Sequence, residues 1–517
     1  MEKEFLFLND KNATRQSLMG KLKQWYWVEK FNNPVGIITL LIISVVFAAL
    51  IAYKGILGAA LILVVLFVPT VVFGIVAYPI FGITILLIMA YLLFFIMRVG
   101  IDFPLGTAMD GIQALLILGF FIYQRKSPDW SVFRGPISFM ILVWIGYNII
   151  EVINPIAESR LAWVYTIRSV AVVMLMYFVF MFQIKTVSAI RGIIKMWLLL
   201  SIFAALYAYK QEYIGFSAAE DEWLHSDPNI ANLLFIAGHW RKFSIFSDPV
   251  AFSYNMVVSS ILCIGLLTYV KTFWKKIVLI LLIALFFSAM LFSGTRGAYV
   301  LLPAAMVLFL ILRFNRQVLF GTAVVGVFMV FLIFVPTSNS NIVRFQTAFK
   351  PSDDESFKLR TANQKRIQPY IWAHPIGGGL GATGAWGQRF APNSFLANFP
   401  PDSGYVRIAV ELGWIGLLLF CIFMFFILRE GINNYFLIQD QELKTYCMTM
   451  LMIVFAYNIG NYPQEALVQF PSNIYFYLAT ALINVTRKID LRQIAKKQKE
   501  NNRSGMLAAI KSNLPVS

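Results

Sequence analysis

Residues 275–297 read KKIVLILLIALFFSAMLFSGTRG. Two lysines precede an uncharged apolar run, and the run ends on a small polar turn that carries one arginine, Arg296. A helix needs about 17 to 25 mostly apolar residues to cross a hydrocarbon core of about 30 Å. It also satisfies its own backbone N–H and C=O groups, which lipid cannot do. The run therefore reads as a membrane-spanning helix with a charge at its outer boundary.

The same pattern recurs along the chain. Apolar segments fall at 35–53, 56–76, 79–97, 107–123, 136–153, 162–182, 190–208, 250–270, 275–293, 297–312, 317–335, 405–428, 445–461 and 472–486. They make about twelve to fourteen spans, because Ile56 to Met97 can be divided as two spans around Pro79 or as one span and a re-entrant piece. Composition agrees: 517 residues, 59% hydrophobic, 16% aromatic and 13% charged, with a mean hydropathy of +0.72, are too apolar for a water-soluble chain. The expected fold is all-α and polytopic. The three cysteines, Cys263, Cys421 and Cys447, lie in apolar segments without ligand-like spacing, so neither a disulfide framework nor a zinc site is expected. About 33 polar residues precede the first span, which is not the pattern of a secretory signal.

Charge gives orientation. The net charge of +17 could suggest nucleic acid in a soluble protein, but here the bases sit in short loops and at the termini. With both termini in the cytoplasm, the cytoplasmic segments collect 27 of the 43 Lys and Arg residues. Anionic lipid headgroups are then the expected partner of these charges, and no nucleic acid is expected. The expected organisation is an N-terminal arm at 1–34, spans over 35–208, a first external loop at 209–249 and core spans over 250–335. A large external loop at 336–404 follows, then C-terminal spans over 405–486 and a basic tail at 487–517, disordered or lying on the inner lipid surface. The large loop holds seven basic residues against the charge bias, which a functional need would explain.

Three outward sites stand out. Arg296 closes the first, Ser293 to Gly297; a charge at membrane depth is costly unless paired or snorkelling, so it marks either function or a reach for headgroups. Arg360, Lys365 and Arg366 form the second, followed by Trp372. Guanidinium forks suit a diphosphate, though a solvated charge run is the alternative. The third is Asp402-Ser-Gly-Tyr405, leading to Glu411-Leu-Gly413-Trp-Ile-Gly416, where a carboxylate can serve as a base or cap a helix. Trp372, Trp386, Phe390, Phe395 and Tyr405 can stack on sugars or anchor at the interface. His225 and His239 are open to acceptor binding or to ordinary surface roles. Gly377 to Gly379 and Gly381 do not form a nucleotide loop, since no strand precedes them and no Lys-Ser/Thr follows.

In this order and spacing the sites resemble the bacterial O-antigen ligase and O-antigen polymerase superfamily. Ser293 to Gly297 resembles its Ser-Arg-Gly-like turn, and Arg360 before His374-Pro-Ile-Gly-Gly-Gly-Leu-Gly381 resembles the arginine and glycine turn of its periplasmic loop. Asp402 to Gly416 is similar to its entry to a span, and Phe243 to Phe252, with Asp248, to the segment before its core. The resemblance implies a membrane glycosyltransferase of GT-C-like architecture that works without metal or cofactor in the bacterial inner membrane, its active site periplasmic. It implies transfer of a glycan from undecaprenyl diphosphate to an acceptor hydroxyl: polymerisation of O-antigen or exopolysaccharide repeats, or ligation to lipid A-core or another acceptor. The partners implied are that lipid-linked glycan, a glycan or lipid acceptor, membrane lipids and, as the family allows, a chain-length regulator. By the same resemblance Arg296, Arg360 and Asp402 are the expected catalytic residues. Arg366, Lys365, Tyr405, Asp248 and Trp372 are expected to bind substrate, and the glycine turn to lie beside the diphosphate. Ligases generally have histidine where this chain has Asp402, which leans the reading toward a polymerase. A flippase or transporter is the alternative of another class, with Asp110, Arg168 and Glu151 as its mid-span ionisable residues.

Overall fold

The computed structural model describes residues 34–99, 105–236, 238–349, 355–468 and 470–512. The expected N-terminal arm, apart from Pro34, and residues 513–517 of the tail lie outside them. The chain divides into two compact units, 1–74 and 75–517. In the first, α1 (Pro34–Lys54) and most of α2 (Ile56–Ala77) are apolar on every face, with Leu41 and Val45 exposed. A helix of that kind is solvated by lipid.

The second unit continues with α3 (Pro79–Arg98), α4 (Leu105–Lys126), α5 (Pro136–Ile150), α6 (Arg160–Gln183) and α7 (Val187–Tyr213). Two short helices, α8 (Ala218–His225) and α9 (Pro228–Leu234), lead to a hairpin of β1 (Phe235–Ile236) and β2 (His239–Trp240), paired antiparallel with Phe235 opposite Trp240. Then come α10 (Pro249–Leu267), α11 (Phe273–Phe292), α12 (Arg296–Tyr299), α13 (Leu301–Leu312) and α14 (Arg316–Phe334). Three helices, α15 (Ser340–Thr347), α16 (Glu355–Ala373) and α17 (Gly384–Phe390), precede α18 (Gly404–Glu411), α19 (Gly413–Leu437), α20 (Gln441–Gly460) and α21 (Ser472–Ser512). Among the described residues ten helices are long and apolar enough to cross a membrane. This is an all-α polytopic membrane protein.

Each apolar segment read from the sequence coincides with helix, but three apolar helices, Val65–Ala77, Arg296–Leu312 and Val318–Phe334, are shorter than the ten. The break at Tyr78, with Pro79 in the first helical turn, makes Ile56 to Met97 two helices rather than one with a re-entrant piece. Two expectations need correction. The large loop is mainly helical: Lys358, Leu359, Arg360, Ala362, Gln364, Lys365 and Arg366 are good helix formers, and α16 carries them all. The tail continues the last apolar helix, since α21 runs without interruption to Ser512.

The core lies where α10 and α20 cross. Both are buried along most of their length, and small residues let them meet. A Cβ added at Gly265 would fall 1.9 Å from Thr449 Oγ1, so the helices touch backbone to side chain, as helices in lipid do. Hydroxyl groups tie neighbouring helices to this pair. Tyr91 Oη and Ser201 Oγ are 2.8 Å apart, Ser259 Oγ donates to Ser201 Oγ at 2.7 Å, and Tyr475 Oη donates to the Leu87 carbonyl at 3.3 Å. Near the outer end, Tyr254 Oη donates to the Gly460 carbonyl at 2.9 Å, fixing the exit of α20. Gly265→Leu is expected to lower the melting temperature of the detergent-solubilised protein, overpacking costing about 1–3 kcal/mol. Gly192→Leu on α7, where an added Cβ meets nothing within 4 Å, should leave it unchanged.

Candidate functional site

The turn after α11 is built before any charge is placed in it. Ser293 Oγ donates to the Met290 carbonyl and accepts from Thr295 N. Gly294 then takes φ +58°, a left-handed conformation that glycine adopts without strain. Two arginines from other elements brace the result. Arg241, after β2, donates from Nε to the Ser293 carbonyl at 2.9 Å and from Nη2 to Thr295 Oγ1 at 3.0 Å. Arg344 on α15 donates from Nε to the Gly294 carbonyl at 2.6 Å, and its side chain fills the space a Cβ at Gly294 would need. Thr295 Oγ1 donates in turn to the Pro249 carbonyl at 3.1 Å, pinning the turn to α10. Burial, then repulsion from Arg344, pushes the pKa of Arg241 down to about 10, which leaves it cationic at neutral pH.

Arg296, placed by this turn, faces a cavity of about 550 Å³. Helix α16 contributes Arg360, Thr361 and Gln364, and further walls come from Tyr405 of α18, from Asn458 and Ile459 in the last turn of α20, and from Tyr462 and Pro463 just after it. Gly297 fits because its missing Cβ would lie 3.2 Å from both the Pro463 ring and Tyr254 Oη. Tyr405 Oη hydrogen bonds to the Asn458 side chain and carbonyl. Arg360 Nε is buried in this setting with no hydrogen-bond partner among the described residues. A buried guanidinium donor without an acceptor is costly, and an anionic group entering the cavity would satisfy it. Among the described residues no carboxylate lines the cavity.

Asp402 stands beside the cavity rather than in its wall. Its backbone is left-handed, φ +47°, which is uncommon for a residue with a Cβ and places backbone strain at this position. Asn363 Nδ2, on the turn of α16 after Arg360, approaches Asp402 Oδ2 at 3.5 Å. The helix-capping role belongs to Ser403, whose hydroxyl accepts from Val406 N. The other expected residues are elsewhere. Arg366 lays its guanidinium over Phe395, 5.4 Å from the ring centroid, and Lys365 is exposed. Trp372 is 70% exposed, about 18 Å along α16 from Arg360 at 1.5 Å per residue. Asp248 caps α10, accepting from Val250 N at 2.8 Å and Ala251 N at 3.0 Å. His225 bonds the Asp221 carbonyl of its own helix, and His239 sits 3.3 Å from Glu212.

The glycine turn at 377–381 is on the other side of α18 from the cavity, and its role is mechanical. Gly378 N and Gly379 N each donate at 2.9 Å to the carbonyls of Val410 and Glu411, and Ile415 N donates to the Pro375 carbonyl at 3.2 Å. The Glu411 carboxylate, buried at 3% exposure, accepts from Gly381 N, Thr383 N and Thr383 Oγ1. Arg407 Nε donates to it at 3.1 Å while Nη1 donates to Glu465 at 2.7 Å. Cβ atoms at Gly377 or Gly413 would sit within 2.6 Å of the partner's backbone. The two glycine-bearing motifs thus form one clasp that locks α16 and α17 to the α18–α19 junction. Sequence reasoning missed Arg241, Arg344 and the wall at Asn458 to Pro463. The polar and aromatic run Asn458-Ile-Gly-Asn-Tyr-Pro463 at the end of an apolar helix was the available signal for the last. Arg407→Met should leave the buried Glu411 without its cation, and the partly exposed Glu465 without its ion-pair partner, and destabilise the fold by about 3–5 kcal/mol, read as a lower melting temperature and yield.

Residues 277–421 match the family model described as O-antigen ligase. They include Arg296, Arg360, Asp402 and both halves of the clasp. The O-antigen polymerase of Salmonella muenchen is 26% identical over 257 residues, 48% of this chain and 57% of that protein. The chain thus spans a little over half the length of this relative.

Proposed function

We propose, from the match of residues 277–421 to the O-antigen ligase family model and the likeness to an O-antigen polymerase, that the chain is a member of the O-antigen ligase and polymerase superfamily and transfers a glycan from undecaprenyl diphosphate to an acceptor hydroxyl on the periplasmic face of a bacterial inner membrane, both termini being cytoplasmic. The observation that carries this reading is the partnerless Nε of Arg360 in a cavity shared with Arg296. In the reaction the acceptor oxygen attacks the anomeric carbon, the bond from that carbon to the diphosphate oxygen breaks, and the electron pair leaves with the diphosphate. Negative charge grows on the leaving group, and two preorganised guanidinium groups stabilise it more in the transition state than before it. The acceptor proton needs a base. We assign that role to Asp402, held at the lip of the cavity beside Asn363. Tyr405 and Gln364, which line the cavity, would hold sugar hydroxyls. Charge stabilisation here uses the chain's own cations, with no metal assigned.

Polymerisation of repeat units is the form of the reaction we favour, because the matched Salmonella muenchen protein is an O-antigen polymerase and because aspartate stands at position 402. Ligation to lipid A-core or another acceptor is the second reading, favoured by the description of the matched family model. The transporter reading has less support. Arg168 and Asp110 pair with each other at 3.1 Å and Glu151 accepts from Asn154 at 2.8 Å, so the ionisable residues a carrier would use are already engaged.

The test is glycan analysis of a deletion strain complemented with wild type, Arg360→Ala or Asp402→Ala, separating lipid-linked from acceptor-linked sugars by length. Arg360→Ala is expected to reduce transfer by about 10²–10³-fold, the effect of removing one oxyanion-stabilising donor. Single repeats on the acceptor identify a polymerase; full-length chains left on undecaprenyl diphosphate identify a ligase. Normal glycan from both variants would remove the catalytic assignment.

A further inference from the structure

A second cavity, of about 960 Å³, opens between α11 on one side and α13 and α14 on the other, with the end of α10 as its floor. It is a groove rather than a chamber. Along α11 its lining runs from Lys276 to Leu291, about 22 Å at 1.5 Å per residue. That is longer than one leaflet of a hydrocarbon core of about 30 Å. Its wall is apolar over most of this length, and Phe287 and Phe328 meet across it with centroids 6.0 Å apart. Within it, Thr322 Oγ1 is buried without a hydrogen-bond partner among the described residues.

The two ends differ. One closes against Leu291, Leu332 and Ile342, under the turn that carries Arg296. The other carries Lys271, Lys276 and Arg313, three cations from three different segments, and among the described residues the lining contains no carboxylate. No ion pair engages any of the three among the described residues. Glu442 reaches the rim through Tyr269, whose hydroxyl donates to it at 3.4 Å, but Arg191 already holds that carboxylate through Nε and Nη2 at 2.8–3.1 Å. The rim therefore keeps an uncompensated positive charge above an apolar groove. Phe273 and Trp274, 70% and 74% exposed, open α11 between Lys271 and Lys276, where aromatic side chains mark a membrane–water interface.

We propose that this groove is a binding site for an anionic glycerophospholipid, its phosphate held by Lys271, Lys276 and Arg313 and its acyl chains lying between α11 and α14. The site is separate from the Arg296–Arg360 cavity and does not depend on the reaction assigned there. Its occupant holds α14 against the bundle from which the groove separates it. This connects the inner lipid surface to the support of the catalytic turn, because α14 leads directly into α15 and its Arg344.

The full-length protein, purified in detergent, is to be analysed by native mass spectrometry and thermal unfolding with added phosphatidylglycerol or phosphatidylcholine. Phosphatidylglycerol should be retained and should raise the melting temperature, and phosphatidylcholine should do neither. Exchanging all three cations in Lys271→Gln/Lys276→Gln/Arg313→Gln should weaken retention on the order of 100-fold, each basic residue near an anionic headgroup contributing about fivefold. The charge-matched control Lys496→Gln/Lys497→Gln/Lys499→Gln, in the tail, should retain the lipid. Gly321→Leu supplies a second, independent test: Gly321 lines the groove, and a Cβ added there meets nothing within 4 Å, so the variant folds and its side chain occupies the acyl path. It should displace the lipid with the cations intact. Equal retention of the two lipids, retention by the triple variant, or displacement by the tail control would each overturn the assignment.

Discussion

The Glu411 carboxylate, out of water at 3% exposure, is the constraint on which the region around the Arg296–Arg360 cavity depends. A buried carboxylate is tolerable only when its oxygens are fully engaged. Here the partners come from three places: the glycine turn after α16, the hydroxyl and amide of Thr383, and Arg407 one helical turn earlier on α18. Glu465 shares the same arginine, so the segment following α20 is bound into the network as well. Gly377 and Gly413, both with positive φ, follow from this arrangement, because their backbones approach too closely for a Cβ, whereas a Cβ at Gly379 would meet Ala157 and one at Gly381 would meet Thr166 and Ala162 of α6.

That clasp determines where α16 can lie, and α16 determines where Arg360 points. The helix leaves the clasp at its C-terminal end and lays Arg360, Thr361 and Gln364 opposite the turn that carries Arg296. The turn is held just as firmly from its own side by Arg241 and Arg344, which spend their donors on its carbonyls. Four arginines thus surround one small region, but they divide the work. Two hold backbone in place, and the other two line the cavity. Strong positive potential in a partly apolar cavity favours a diphosphate over a neutral ligand, because charge interactions there are screened less than in water.

Lipid is the solvent for most of the remaining surface. Helices α1 and α14 expose apolar side chains on broad faces, whereas α10 and α20 bury theirs and carry hydroxyl and amide groups that bond to neighbouring helices. The groove with Lys271, Lys276 and Arg313 at its mouth lies between these two regimes. Its apolar wall alone would be unremarked in a membrane protein. The unpaired charge at one end makes its occupant specific.

Hydropathy by itself determined the class and the positions of the helices, because crossing lipid requires long apolar runs whose backbone bonds close locally. It also isolated Arg296, Arg360 and Tyr405, since charge and aromatic residues at membrane boundaries are conspicuous against that background. It read 336–404 as one large polar loop without dividing it into elements, although the helix formers of α16 were there to be counted. Tertiary structure alone decided which polar residues share a cavity. Arg360 and Arg366 look alike in sequence, but six residues apart on one helix they face different neighbours, one the cavity and the other Phe395. Asp248 was expected to bind substrate, and folded packing gives it a helix cap to make; the glycine turn was expected beside a diphosphate, and folded packing joins it to the α18–α19 junction. Local sequence specifies what a side chain can do, whereas its partners come from segments far away in the chain, and only the folded packing brings those segments together.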